Sequence, residues 1–294
     1  MIIKTIHVEA SSFCNARCPL CPRNLYGYKV DGVYPEVNLS VEKFKDILSK
    51  FPDVTYVNFN GNLGDPMMNP DIILLTELIS CSKSITTNGS IGTKNTWIQL
   101  AKSNVNVVFS IDGLEDTNHL YRQDVSWQKV MERANWFISA GGLATWKFIV
   151  FKHNAHQVNQ AKLLSKTLGF KDFLLEDHGR NYGPVLDKKG NITHWILPAD
   201  NSLTPKPYDV SAGIKRYKET GHNFFPKEKI YNITCEHEKL QSIYVNAQGL
   251  IGVCCYQGFN LPDMDFQPLE NFSEIKKSWQ TKNCNWICAM NCSR

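Results

Sequence analysis

The sequence predicts an α/β protein built on a parallel sheet. Short β-branched or aromatic runs alternate with helical stretches of about ten to fifteen residues, roughly six times by residue 176, in the pattern of βα units. The chain has 294 residues, 43% hydrophobic and 20% charged, which suits one sizeable core with room for a small appended domain. The ten cysteines fall into an N-terminal trio and a C-terminal six that bracket the repeat, with Cys81 alone between them.

The strand candidates are 3–9, 55–60, 84–87, 105–111, 145–151 and 171–176. Between the first two, Ser40 caps a run of helix formers that extends through Lys50. Further helices are expected over 71–80, 94–102 and 127–140, the last stopped by Gly141-Gly142. A fifth helix over 154–168 is stopped by Gly169. Periodicity does not decide between an open sheet and a barrel, but in either case ligands bind at the carboxyl ends of the strands. From 181 to 233 the pattern fails: Pro205-Lys206-Pro207 and Gly190-Asn191 suggest a linker or a long irregular insertion. A hairpin returns over 241–256, with Asn246-Ala247-Gln248-Gly249 as its turn, and the tail over 272–292 begins as a helix and then carries cysteines. The expected units are therefore 1–180, 181–233 and 234–294.

Composition excludes several classes. The chain is too apolar and too weakly charged for disorder. Its 18 Gly and 13 Pro have no collagen-like period. No apolar run approaches the ~18 residues of a membrane span. The start, MIIKTIHVEA, reads as a strand rather than a signal peptide, so a cytoplasmic location is expected and the sequons at Asn191, Asn232 and Asn271 carry no weight. A net charge of +4 with scattered lysines gives no nucleic-acid footprint. Many cysteines in such a chain point to metal or catalysis rather than disulfides.

The trio Cys14, Cys18 and Cys21 follows the first strand with C-x3-C-x2-C spacing. Three thiolates within one short loop can hold one face of an iron–sulfur cluster and leave an iron open, as a reactive site requires. The bland alternative is a zinc knuckle, whose fourth ligand would have to come from far away. At this point the chain resembles the radical S-adenosylmethionine (SAM) enzymes, whose motif is C-x3-C-x-aromatic-C after strand one. It departs at Leu20, where the family carries an aromatic residue near the adenine.

The resemblance extends over about 4–176. Asn60-Gly-Asn-Leu-Gly-Asp-Pro66 after strand two is similar to the family's Gly-Gly-Glu-Pro segment, which receives the SAM amino group. It implies cofactor contacts at Gly61, Asn62, Gly64 and Asp65, with glycines that let backbone approach the ligand. Thr86-Thr87-Asn88-Gly89 is similar to Thr-Asn-Gly after strand three, and Ser110-Ile-Asp112-Gly113 follows strand four. These imply that Asn88, Ser110 and Asp112 face the SAM ribose and carboxylate, that Arg122 meets the carboxylate, and that Asn154 offers a polar contact in the cavity. Taken singly, each segment is also an ordinary turn; their weight lies in their order along the strands.

Among the C-terminal six, Cys235 and Cys254 frame Gly249 in a C-x(9–15)-G-x4-C pattern that resembles the opening of the SPASM and Twitch extensions of the same superfamily. Six thiols fit one auxiliary [4Fe–4S] cluster better than two. The expected ligands are Cys235, Cys254, Cys288 and Cys292, with Cys284 as the substitute. A zinc-stapled domain is the alternative. Cys255 follows Cys254 directly and points to the other face of a strand. Core packing is its plain reading, and hydrogen-atom donation into the barrel its catalytic one.

The resemblance thus implies a partial (β/α)6 TIM-like barrel with a small C-terminal iron–sulfur domain. It implies a [4Fe–4S] cluster that cleaves SAM to a 5′-deoxyadenosyl radical, which abstracts hydrogen from a peptide or protein substrate. An external flavodoxin- or ferredoxin-type donor would supply the electron. The alternatives are dehydrogenation of a small alcohol or sugar and, from another class, a non-catalytic electron carrier or sensor.

Overall fold

The computed structural model describes residues 2–176, 182–200, 204–220, 236–255 and 266–272. Six strands are joined by helices in the order the sequence predicts: β1 (Thr5–Val8), α1 (Val41–Lys50), β2 (Tyr56–Phe59), α2 (Ile72–Glu77), β3 (Ser82–Thr87), α3 (Lys94–Lys102) and β4 (Asn106–Ser110). A short α4 (Asn118–Tyr121), α5 (Trp127–Ser139), β5 (Leu143–Ile149), α6 (Val158–Thr167) and β6 (Asp172–Glu176) follow. All six strands run parallel, each paired with the next, because every return path is a helix. Ser40 caps α1 as expected, its hydroxyl accepting from the Lys43 amide at 3.3 Å.

The register divides the residues of each strand between two faces. Ile6, Val57, Ile85, Val107 and Ala144 share one face, against the helices, and the aromatic core lies on the same side. There Phe59 packs on Phe44 of α1 at 5.6 Å, Phe109 stacks on Trp97 of α3 at 5.2 Å, and Trp146 meets Phe170 at 5.3 Å. The opposite face is polar: His7, Asn58 and Ser84 stand side by side across β1, β2 and β3. Ser84 donates to Asn58 at 3.0 Å and shares a 2.6 Å hydrogen bond with Tyr56. The sheet thus has one apolar face on helices and one polar face.

Two regions differ from expectation. The stretch expected to be irregular contains the antiparallel pair β7 (Gly183–Leu186) and β8 (Ile192–Ile196), then α7 (Val210–Thr220). Its Gly190-Asn191 signal is the hairpin turn itself: Asp187 accepts from the Lys189 and Asn191 amides, and Gly190 takes φ +85°. This insertion packs on the loop behind the N-terminal cysteines, where Leu25, Val30, Leu186 and Tyr217 form a second small core. The Tyr217 hydroxyl donates to the Pro22 carbonyl at 2.5 Å.

The C-terminal hairpin forms as predicted, after a short α8 (Glu236–Lys239), as β9 (Ser242–Val245) and β10 (Ile251–Gly252). It does not stand apart. β9 pairs in parallel with β1, so one sheet of eight strands runs β10-β9-β1-β2-β3-β4-β5-β6. Cys81, expected to be buried, is half-buried beside the core. No described helix is long and apolar enough to cross a membrane.

Candidate functional site

The N-terminal cysteines lie on the loop that leaves the carboxyl end of β1. Two turns shape it: the Cys21 amide donates to the Cys18 carbonyl and the Asn24 amide to that of Cys21, both at 3.0 Å. Cys18 is buried and Cys14 and Cys21 are half-buried. Each thiol meets a segment that follows a different strand. The Asn88 side-chain amide, after β3, is 4.0 Å from Cys14 Sγ. The Arg122 guanidinium, after β4, is 3.6 Å from Cys18 Sγ. The Asn62 carbonyl, after β2, faces Cys21 Sγ at 4.0 Å. Among the described residues, no three His, Cys, Asp or Glu side chains are gathered to hold a single metal ion.

The segment after β2 packs against this loop. A Cβ on Gly64 would stand 1.9 Å from the Ser11 carbonyl oxygen, and one on Gly61 2.2 Å from that of Gly64. The glycines therefore allow backbone to approach backbone. Backbone packing is thus one reason for glycine at both positions. Asp65, expected beside a ligand cation, is an internal bracket. Its carboxylate accepts from Met67 N at 3.0 Å, Thr87 Oγ1 at 2.7 Å and Asn88 N at 2.8 Å. Its own amide donates to the Phe13 carbonyl at 2.8 Å. Burial pushes the Asp65 carboxyl up, and the donors from Asn88 and Thr87 oppose that shift.

Ser110 ends β4, buried on the polar face beside Lys147. Asp112 is fully enclosed. It accepts from Arg122 Nε at 2.6 Å and from the Ile149 amide at 2.7 Å, tying β4 to β5. Burial disfavours the charged Arg122, but the Asp112 carboxylate more than offsets this and keeps the guanidinium protonated. Asn154, expected to reach into the cavity, has no exposed surface. Its amide donates to the Asp112 and Ile149 carbonyls, each at 2.9 Å, and its oxygen accepts from Phe151 N at 2.7 Å. These backbone partners let Asn154 shape the loop after β5.

Sequence reasoning missed two residues. Glu9, the last residue before the cysteine loop, is buried and accepts from the Leu63 and Gly64 amides at 2.6 and 3.1 Å. Tyr244 of β9 donates its hydroxyl to the same carboxylate at 2.8 Å. Burial pushes the Glu9 carboxyl up, and these three donors pull against it. An acidic residue closing an apolar strand was the available signal for Glu9; nothing local marks Tyr244.

At the C-terminus, Cys254 is buried in the main core, and Cys255 is half-buried with its carbonyl accepting from the Asn62 side chain. Cys235, Cys284, Cys288 and Cys292 lie outside the described residues.

A mostly parallel α/β sheet with three cysteines at the end of its first strand, met by the loops after the next three, defines a class of cofactor-binding protein. The family described as the radical SAM superfamily matches residues 8–155, half of the chain, and the protein belongs to it. Membership implies an enzyme that uses a [4Fe–4S] cluster and SAM.

Among solved structures, SuiB of Streptococcus suis is similar at a TM-score of 0.61 and 17% identity over 95% of this chain and 65% of that one. A second SuiB structure carries bound S-adenosylmethionine. The structure described as anSMEcpe with bound AdoMet matches at a TM-score of 0.57 and 19% identity, covering 98% of this chain and 87% of that one. These likenesses show the fold. A tungsten-containing aldehyde ferredoxin oxidoreductase cofactor-modifying protein from Pyrococcus furiosus is 29% identical over 119 residues, 38% of this chain. The chain spans about a third of that relative's length, the match covering 32% of it.

Proposed function

We propose that this protein reductively cleaves SAM at a [4Fe–4S] cluster held by Cys14, Cys18 and Cys21, and that it abstracts hydrogen from a peptide or protein substrate. One observation carries the site: each of the three thiols is met by the segment after a different strand. The donor set fits the group. Two of the sulfurs face N–H donors, one of them a cation, and such donors favour thiolates and tune a cluster. Three thiolates leave one iron without a protein ligand, the position SAM would take. When bound, cluster and SAM together supply one-electron cleavage and a hydrogen-abstracting 5′-deoxyadenosyl radical.

The chain's own residues bind and orient. Backbone over 61–65 would receive the SAM amino group. Asn88 and Ser110 would offer polar contacts to the ribose. Arg122 has five donors; Nε serves Asp112 and Nη1 reaches toward Cys18, which leaves others for the SAM carboxylate. Asp65, Asp112 and Asn154 act through these residues by fixing the turns that carry them. Cys235, Cys254, Cys288 and Cys292, with Cys284 as substitute, would hold an auxiliary [4Fe–4S] cluster. Cys255 is the remaining catalytic candidate, as a hydrogen-atom donor. An external flavodoxin- or ferredoxin-type protein would supply electrons.

The peptide reading is supported by structural neighbours whose descriptions name bound peptides: SuiB with precursor peptide SuiA, and anSMEcpe with the Cp18Cys peptide. The Pyrococcus furiosus relative, described as cofactor-modifying, favours a small-molecule substrate over a peptide, and dehydrogenation of a small alcohol or sugar is the second reading. The test is to incubate anaerobically reconstituted protein with SAM, dithionite and either a random-sequence peptide pool or a panel of small alcohols. Mass changes confined to peptides support the first reading, and oxidation confined to alcohols the second.

A further inference from the structure

Asn62 sits between the two groups of cysteines. Its main-chain carbonyl faces the Cys21 thiol at 4.0 Å, and its side-chain amide donates to the Cys255 carbonyl. The neighbouring residues hold it from the other side. Glu9 accepts from the Leu63 and Gly64 amides, and Tyr244 donates to Glu9. Because Asn62 and Leu63 are consecutive and β9 pairs with β1, these contacts form a ring between β1, the loop after β2, and β9. Tyr244 is nearly fully buried and Glu9 equally so, and losing one partner while the others stay buried leaves polar groups unpaired.

We propose that Asn62, Glu9 and Tyr244 are positioning residues that make the C-terminal hairpin part of the N-terminal cysteine site. The state of the Cys254-Cys255 segment is passed through Asn62 to the carbonyl that faces Cys21. The direction of influence is reciprocal, since both segments are linked through the one residue Asn62. This rests on the reading that Cys14, Cys18 and Cys21 hold the SAM-binding cluster, and it adds what that reading does not contain: a mechanical dependence of that cluster on residues more than two hundred positions away.

The test uses the full chain, reconstituted anaerobically with iron and sulfide. The SAM-responsive electron paramagnetic resonance signal of the dithionite-reduced protein is recorded for the wild type, the Cys254→Ala/Cys255→Ala double variant, Asn62→Ala, and the three changes combined. The double variant is expected to shift the signal in the wild-type background, and the shift is expected to vanish when Asn62→Ala is also present. A shift of equal size in both backgrounds, or none in the wild-type background, overturns the proposal. Amide exchange gives a readout that needs no cluster. In metal-free protein, Tyr244→Phe, which removes one hydroxyl, is expected to speed exchange at Leu63 and Gly64 about tenfold or more; unchanged exchange overturns the proposal even if the resonance experiment fails. If no Cys14-, Cys18- and Cys21-dependent signal appears at all, it is the cluster reading that fails.

Discussion

At Gly64 one methyl group separates a formed site from a displaced loop. Its Cβ would lie 1.9 Å from one carbonyl oxygen of the preceding loop and 2.7 Å from another, both backbone and unable to swing aside. Gly64→Ala is expected to keep native helix content by circular dichroism while lowering iron incorporation severalfold on reconstitution. Arg122 is a second such residue. Removing it leaves Asp112 with no exposed surface and no cation, and breaking a buried pair in this way costs about 3–5 kcal/mol. Urea unfolding of Arg122→Ala should show that loss, whereas Arg122→Lys should recover part of it without the Nε geometry. Gly64, Arg122 and its partner Asp112 were all visible in the sequence as motif positions. What was not visible was their direction: Gly64 faces protein, and Asp112 is bound on both oxygens.

The elements were legible to the extent that periodicity and caps control them. α3 has the expected bounds, and Ser40 caps α1, where Ser40→Ala should cost about 1 kcal/mol in thermal or urea unfolding. The β7–β8 pair escaped notice because a four-residue buried strand beginning Gly-Pro carries little alternation, and its turn residues read as breakers. The strands and loops also half-bury two histidines. His7 on β1 and His153 after β5 are both lowered by burial to about 4, from an unperturbed 6.5. Between those values the unfolded chain binds protons that the folded chain does not. Their contribution to stability is therefore complete above pH 6.5 and is lost as pH falls toward 4. The melting temperature should drop across that window, and His7→Gln should flatten the drop; an equally steep profile in the variant would assign the loss to other groups.

Over the whole molecule, the βα order, the cysteine loop and the strand-end segments could all be read from the sequence, because local pattern sets them. Pairing between distant segments could not. The Glu9–Tyr244 hydrogen bond joins residues 235 apart, and β9 lies beside β1 although the entire sheet separates them in sequence. The hairpin read as the start of a separate C-terminal unit is thus continuous with the sheet that carries the first cysteines. The central claim is that those cysteines support reductive SAM cleavage, and anaerobic 5′-deoxyadenosine formation tests it most directly. Reconstituted protein with SAM and dithionite should yield the nucleoside, and the Cys14→Ala/Cys18→Ala/Cys21→Ala variant should yield none above background. No product from wild-type protein with a demonstrably reduced cluster, or equal product from the variant, would contradict the account.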